Sequence, residues 1–414
     1  MARTPVKLPF CLAGVFLATI ACADAGDRTS GDPPTLEAVV HDSADVRIVE
    51  NPRPSAGSRL DWRVGAEPAV SIGKLAGEDP YLLDRIQDAL VLPDDRIVVA
   101  NGGSNELRVF DALGSHVATW GGRGEGPGEF TSLILVHRWP GDSLIALYSQ
   151  GRRVSVLDSA GNYGRAFTLQ RGDAFFLVES ILPGGAIVSS DLFLRGMLPD
   201  GLSRPENHYR IRDAEGELGP TLGSFPGTEW FFRSSGGGRM GTQIPFAHQV
   251  FAFAWGNLAA VAPNDTYEIR AFDLDGTLKR IVRRDHDLVA PTPAHIDAHI
   301  ERAVAARPEE EPAEVRQRMS EYYLEVPLPE TYPAYAEAMS DLADHLWVRE
   351  FGLPGAEPGN PVWTVFDPDG QVLGYVETPA GLQIFEIGED YILGRATDDL
   401  GVEYVQVWSL ERSD

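Results

Sequence analysis

The stretch "GGRGEGPGEF", Gly121 to Phe130, holds five glycines in ten residues, the composition of a phosphate cradle. A dinucleotide loop needs G-x-G-x-x-G between a strand and a helix, so that backbone N–H groups reach the pyrophosphate. Counted from Gly122, the third glycine position holds Pro127; counted from Gly124, it holds Glu129. No Lys-Ser/Thr follows for a P-loop, and "FTSLILVHRW" after it has strand character, not helix. The stretch therefore reads as a crossover between strands, with Phe130 wedged where two sheets meet.

His295 and His299 stand four apart in "AHIDAHIERAVAA", a helical pattern carrying Ile296, Ile300 and Val304 on one side. Two histidines at i and i+4 can share a metal, but the residues between them are Ile-Asp-Ala and no third ligand is identifiable. The pair is expected on a solvated helix face. No G-x-S-x-G and no Cys-His arrangement marks a nucleophile. Carboxylates abound, and none can be singled out as an acid/base pair.

The elements that must carry any site are set by composition first. The 414 residues are 43% hydrophobic and 23% charged, with 43 Gly, 30 Pro and a net charge of -26. That is enough apolar content for a large core and enough turn-formers for many short strands. The acidity excludes a nucleic-acid surface, which needs a clustered basic face. Arg3 and Lys7 precede an apolar run, Leu8 to Ala21, too short to span a bilayer but right for an export signal. It ends "TIAC", similar to a bacterial lipoprotein signal, which implies lipidation at Cys22; cleavage after "ADA" is the other reading. Residues 1–22 are thus expected to be a signal peptide and 23–44 a flexible tether. The domain proper is expected over 45–414. Cys11 lies inside the signal, so no disulfide joins the mature domain.

One motif recurs. "LRVFDALG", "VSVLDSAG", "YRIRDAEG", "IRAFDLDG" and "WTVFDPDG" each end a strand-like run in Asp-x-x-Gly, at Asp111, Asp158, Asp213, Asp273 and Asp367. Asp can accept hydrogen bonds from the backbone ahead of it and Gly takes a positive φ, so each is a strand running into a tight turn. A second short strand precedes every copy, as in "DDRIVVAN" and "DHLWVREF", and a sixth pair, "EDYILGRA" with "EYVQVWSL", ends the series. Steps of 47 residues (Asp111 to Asp158) and 42 residues (Asp367 to Ser409, which takes the Asp place in the sixth pair) match one four-stranded propeller blade, and the longer steps hold insertions. "EPAVSIGKLAGEDPYLL" (Glu67 to Leu83) parallels "SHVATWGGRGEGPGEFTSL", and supplies the strand that the sixth blade lacks.

With "GGRGEGPGEF" and "LRVFDALG" in hand, the region Asp61 to Leu410 resembles NHL-type and related six-bladed β-propellers, often found in bacterial lipoproteins. The resemblance implies an all-β, six-bladed propeller whose N-terminal strand closes the last blade. It implies little about activity, because such scaffolds host binding, lyase and hydrolase functions.

A step of 94 residues between Asp273 and Asp367 places a helical insertion at about 287–341, between blades four and five. Meander topology puts the crossover loops, "FLRGMLPDGLSRPEN" (Phe193 to Asn207) and this insertion on one face. Polar residues after each second strand would ring that mouth: Asn101, Ser149, Asp191, Asn264, Arg349 and Arg395, with Arg123 and Arg153 reaching in. Arginines there point to an anionic ligand. The expectation is an exported, periplasmic or lipid-anchored module that binds a small molecule, peptide or protein. No cofactor is identified; a lyase or lactonase with a divalent metal in the central channel is the alternative.

Overall fold

The structure is a computed structural model that describes residues 37–172, 175–192, 199–235, 238–307, 311–357 and 359–413. The signal, Cys22 and most of the tether lie outside the described residues, as does part of the Phe193 to Asn207 loop. The chain is a β-propeller type of molecule, built from small antiparallel sheets.

Each sheet follows from the repeat. The first runs through Ile86–Val91, Ile97–Asn101, Glu106–Phe110 and His116–Gly121, every strand pairing with the next. The second (135–168), the third (175–226), the fourth (250–284) and the fifth (335–377) repeat this order. The sixth has Gln383–Ile387, Tyr391–Thr397 and Glu403–Glu411, and Val70–Ile72 pairs antiparallel with that last strand as Val405↔Ile72 and Val407↔Val70. The last sheet is therefore completed from the N-terminal side, with Val70–Ile72 and Arg63–Val64 covering the edge of Glu403–Glu411.

The Asp-x-x-Gly copies share one geometry. Asp111 Oδ1 accepts the backbone N–H of Leu113 (2.9 Å) and Ser115 (2.8 Å). Asp158, Asp213 and Asp367 accept from the same two positions, and Asp273 from the second of them. The glycine that follows has φ +79 at Gly114 and φ +83 at Gly161. It also faces the preceding sheet: a Cβ on Gly161 would lie 2.2 Å from the Trp120 ring, and one on Gly114 would lie 3.0 Å from Val70. The turn thus bends its own strands and lets the neighbouring sheet close in.

Packing is distributed. One buried cluster joins the first and second sheets through Leu107, Trp120, Phe130 and Tyr148. Others join the second to the third, the third to the fourth, the fourth to the fifth and the fifth to the sixth. A further cluster joins Ile72, Leu393 and Val405 to Ile86, Val99 and Phe110, so the last sheet packs on the first. Phe130 is fully buried at the first of these seams, 5.3 Å from the Tyr148 ring, and the glycine-rich stretch is a crossover.

Three features depart from expectation. Val39–Ser43 is a strand, inside the stretch read as tether: it forms a hairpin with Val46–Asn51 through Ala44 and Asp45, both at positive φ. Val46–Asn51 in turn pairs parallel with Leu278–Arg284, far along the chain, so no local pattern announced it. A three-stranded sheet, Gly201–Ser203 with Trp230–Ser235 and Gly238–Gln243, stands between the third and fourth sheets. Helices α1 (Pro293–Ala305) and α2 (Pro312–Glu325) lie between the fourth and fifth. Thr292 caps α1 by accepting the N–H of His295. The turn of Ile244 and Ala247 packs against Val326 just after α2, with Tyr322 alongside.

Candidate functional site

A strand that opens an antiparallel sheet presents unpaired N–H and C=O groups along its free edge. Here the first strands of all six sheets turn such edges towards one cavity of about 570 Å³. Its walls include Asp88, His137, Arg138, Ser180, Phe253, Ser340, Phe385 and Glu386.

Side chains from flanking sheets satisfy those edges. Arg138 grips Glu386 with both nitrogens, one at 3.0 Å, and also donates to the carbonyl of Val91. Glu386 accepts the N–H of Val91 (3.2 Å) and the Tyr391 hydroxyl (2.5 Å). Across the cavity, Ala254 is held the same way: its N–H donates to Ser180 Oγ at 2.9 Å, and Ser340 donates to its carbonyl. Asp88 accepts from Ala89 N–H (2.9 Å) and Val136 N–H (3.3 Å).

The electrostatics single out Asp88. Burial pushes its carboxyl up to about 8, and the charge of Glu386 adds to this, against its backbone hydrogen bonds and Arg138. Burial pushes His137 down, so it is neutral at pH 7. Burial also raises Glu179, against a hydrogen bond from Ser190. A carboxyl that exchanges its proton near neutrality can donate or accept a hydrogen bond according to what occupies the cavity. Sequence reasoning missed this site, because each strand contributes only one or two inward residues from six separate segments.

None of the eight sequence-predicted residues lines the cavity. Asn101 is buried and holds Asp84 N–H and Ser104. Asn264, also buried, accepts from Gln249 N–H (2.7 Å) and donates to Tyr335 O (3.0 Å), tying the fourth sheet to the fifth. Arg395 does likewise between the sixth and the first, reaching Ile86 O (2.8 Å) and Glu403 (2.9 Å). Asp191 takes Arg210 at 2.8 Å, and Arg349 pairs with Glu337 at 3.1 Å. Arg123 reaches Gly103 O, Ser149 N–H bonds Thr131 O, and Arg153 lies over the Tyr148 ring. Asn101, Asn264 and Arg395 thus bond across strands and sheets, and Arg349 and Arg395 pair with carboxylates.

The expectation for the histidine pair is corrected. His299 meets the rings of Phe246 (5.0 Å) and Tyr323 (5.9 Å), and His295 meets Tyr332 (5.5 Å). Both are half-buried against aromatics, not on a solvated face. Among the described residues no three His, Cys, Asp or Glu side chains converge as a metal site would require.

No protein-family model matches the chain, and no curated protein matches it. Among solved structures it is similar to a Bacteroides fragilis protein assigned as exported, with 12% identity over 89% of this chain and 100% of that one, TM-score 0.48. It is similar to a member of the DUF4221 family from Bacteroides vulgatus, with 10% identity, 85% and 99% coverage, TM-score 0.48. It is also similar to virginiamycin B lyase from Staphylococcus aureus, with 11% identity, 84% and 99% coverage, TM-score 0.36.

Proposed function

We propose that this chain is a six-bladed β-propeller, exported and either lipid-anchored through Cys22 or released, that works as a binding module for a small ligand held in its central cavity. The observation that carries this reading is the cavity of about 570 Å³ into which all six first strands turn, with apolar walls and a few convergent polar groups. Phe253, Phe385 and Met339 supply apolar contact, while Asp88, Ser180 and Ser340 supply the orienting polar atoms. The six inter-sheet clusters make the wall a rigid frame, so a guest meets a preformed site.

Native mass spectrometry of the exported protein tests it. A lipid mass on Cys22 supports anchoring, and a co-purifying small molecule that is lost in Met339→Trp supports the cavity. A ligand retained equally by wild type and Met339→Trp would place binding elsewhere and overturn the cavity reading.

A further inference from the structure

A second pocket, of about 270 Å³, lies between the second and third sheets and is lined by Gln150, Arg152, Arg171, Phe175 and Phe176. Arg152 and Arg171 come from different segments. Arg152 precedes the third strand of the second sheet, and Arg171 lies in the connection to the third sheet. Backbone bonds fix both. Leu169 N–H donates to Arg152 O at 2.8 Å, and Gln170 is clamped by Gly216 O, by Leu218 N–H and by Arg212, which donates to its carbonyl.

Three observations set this pocket apart. Neither Arg152 nor Arg171 makes a side-chain hydrogen bond or ion pair among the described residues, in a chain with 61 acidic against 35 basic residues. Two like charges facing one cleft repel each other unless something between them compensates. The connection's Asp173 lies outside the described residues. Next, Ser149, Gln150 and Gly151 all adopt positive φ (55°, 59° and 74°), a run of three found nowhere else among the described residues. Two of them are not glycine, and such strain is retained where it aims side chains. Finally, Phe175 leaves 46% of its surface exposed beside the arginines. Behind Phe176 the buried Arg212 stacks at 4.1 Å with one nitrogen unpartnered, adding positive potential that Asp191 offsets only in part.

We propose that Gln150, Arg152, Arg171 and Phe175 form a binding pocket for an oxyanion, phosphate or carboxylate, borne on a flat apolar ring. Two guanidinium forks match the paired oxygens of such a group, the Gln150 amide donates a further hydrogen bond, and the exposed Phe175 face covers the ring. The volume admits one such headgroup rather than a polymer. Arg153, adjacent to Arg152, points the other way onto Tyr148 and takes no part.

The test is calorimetry on the full mature domain with phenyl phosphate, benzoate and inorganic phosphate as probes. Phenyl phosphate or benzoate, or both, should bind, and the better of the two names the oxyanion. Affinity should fall at least tenfold in Arg152→Ala/Arg171→Ala and fall again as salt rises. Phe175→Ala should weaken the ring-bearing probes while leaving inorganic phosphate unchanged. Arg152→Lys/Arg171→Lys keeps the charge and loses the forks, so it should bind between the two. Unfolding midpoints without ligand should match wild type, because these arginines are exposed. Absence of binding by every probe to wild type overturns the proposal, as does equal binding by wild type and the double alanine variant.

Discussion

Arg138 of the second sheet and Glu386 of the sixth clasp each other through two hydrogen bonds, although 248 positions separate them in the chain. Between them lies Val91 of the first sheet, whose carbonyl and N–H the same two side chains satisfy. The pair therefore stitches three sheets at the wall of the cavity. Removing one partner of a buried pair leaves the other charge uncompensated, and the cost exceeds that of replacing both. Arg138→Ala should lose about 3 kcal/mol, the lower end of the range for buried pairs, since its side chain is one-third exposed. Arg138→Met with Glu386→Gln should recover most of that loss. Urea unfolding of the two single variants and the double reads the coupling directly.

Asp88 gives a pH dependence of defined sign. Its folded-state value of about 8 lies above the usual 3.8, so the folded protein holds a proton that the unfolded chain releases. Its contribution is fully present below about pH 4 and is lost as pH rises through 8. Relative to Asp88→Asn, wild type should lose stability between those limits by at most about 1.4 kcal/mol per pH unit. The facing groups are Glu386 from the sixth sheet and Arg138 from the second, beside His137, which burial pushes down. Denaturant midpoints at intervals from pH 4 to 9 would give the difference curve; a flat one assigns the proton to another group.

Gly161 and Gly141 separate backbone cost from crowding. Both have φ near +75 to +83, but a Cβ at Gly161 meets Trp120 at 2.2 Å while one at Gly141 meets nothing within 4 Å. Gly141→Ala should cost about 1 kcal/mol, the conformational term alone. Gly161→Ala should cost about 3 kcal/mol or more, because the Trp120 ring must also shift. Thermal unfolding of the two variants side by side measures the gap.

Ile72 anchors the closing strand. It is 1% exposed and packs with Leu393 and Val405 of the sixth sheet and with Ile86, Val99 and Phe110 of the first. Ile72→Ala should cost about 3 kcal/mol through the cavity it leaves. Hydrogen exchange should then rise first in 383–411 and 70–72, and only later in the second to fifth sheets. Uniform acceleration across all sheets would mean the ring opens as one unit.

What the sequence made legible was local. An Asp-x-x-Gly turn is closed by hydrogen bonds to the second and fourth residues ahead, so its whole signature sits within five residues. Strands such as Ile97–Asn101 and Leu346–Glu350 fall within the runs read from apolar pattern. Partners at a distance were not legible. Val39–Ser43 looked like a polar tether because the strand that makes its hairpin useful docks on Leu278–Arg284. Asn264 and Arg395 show a limit of the pattern: a polar residue ending a strand looks the same whether it bonds a neighbouring backbone or lines an opening. Ser149 and Arg153 came nearest to a charged pocket, since they flank Gln150 and Arg152, yet the second arginine stands in an unremarkable connection.

The pairing of Val70–Ile72 with Val405–Val407 sets an order on events in the cell. A chain emerging from a ribosome delivers Val70–Ile72 more than 300 residues before Val405, so the circle cannot shut until Val405 has been made. Until then Ile72 has no complete seat, and the first and sixth sheets lack the cluster that joins them. Contacts so distant along the chain form slowly. The seam between the first and sixth sheets is thus the last to lock, and the other seams must hold without it until then.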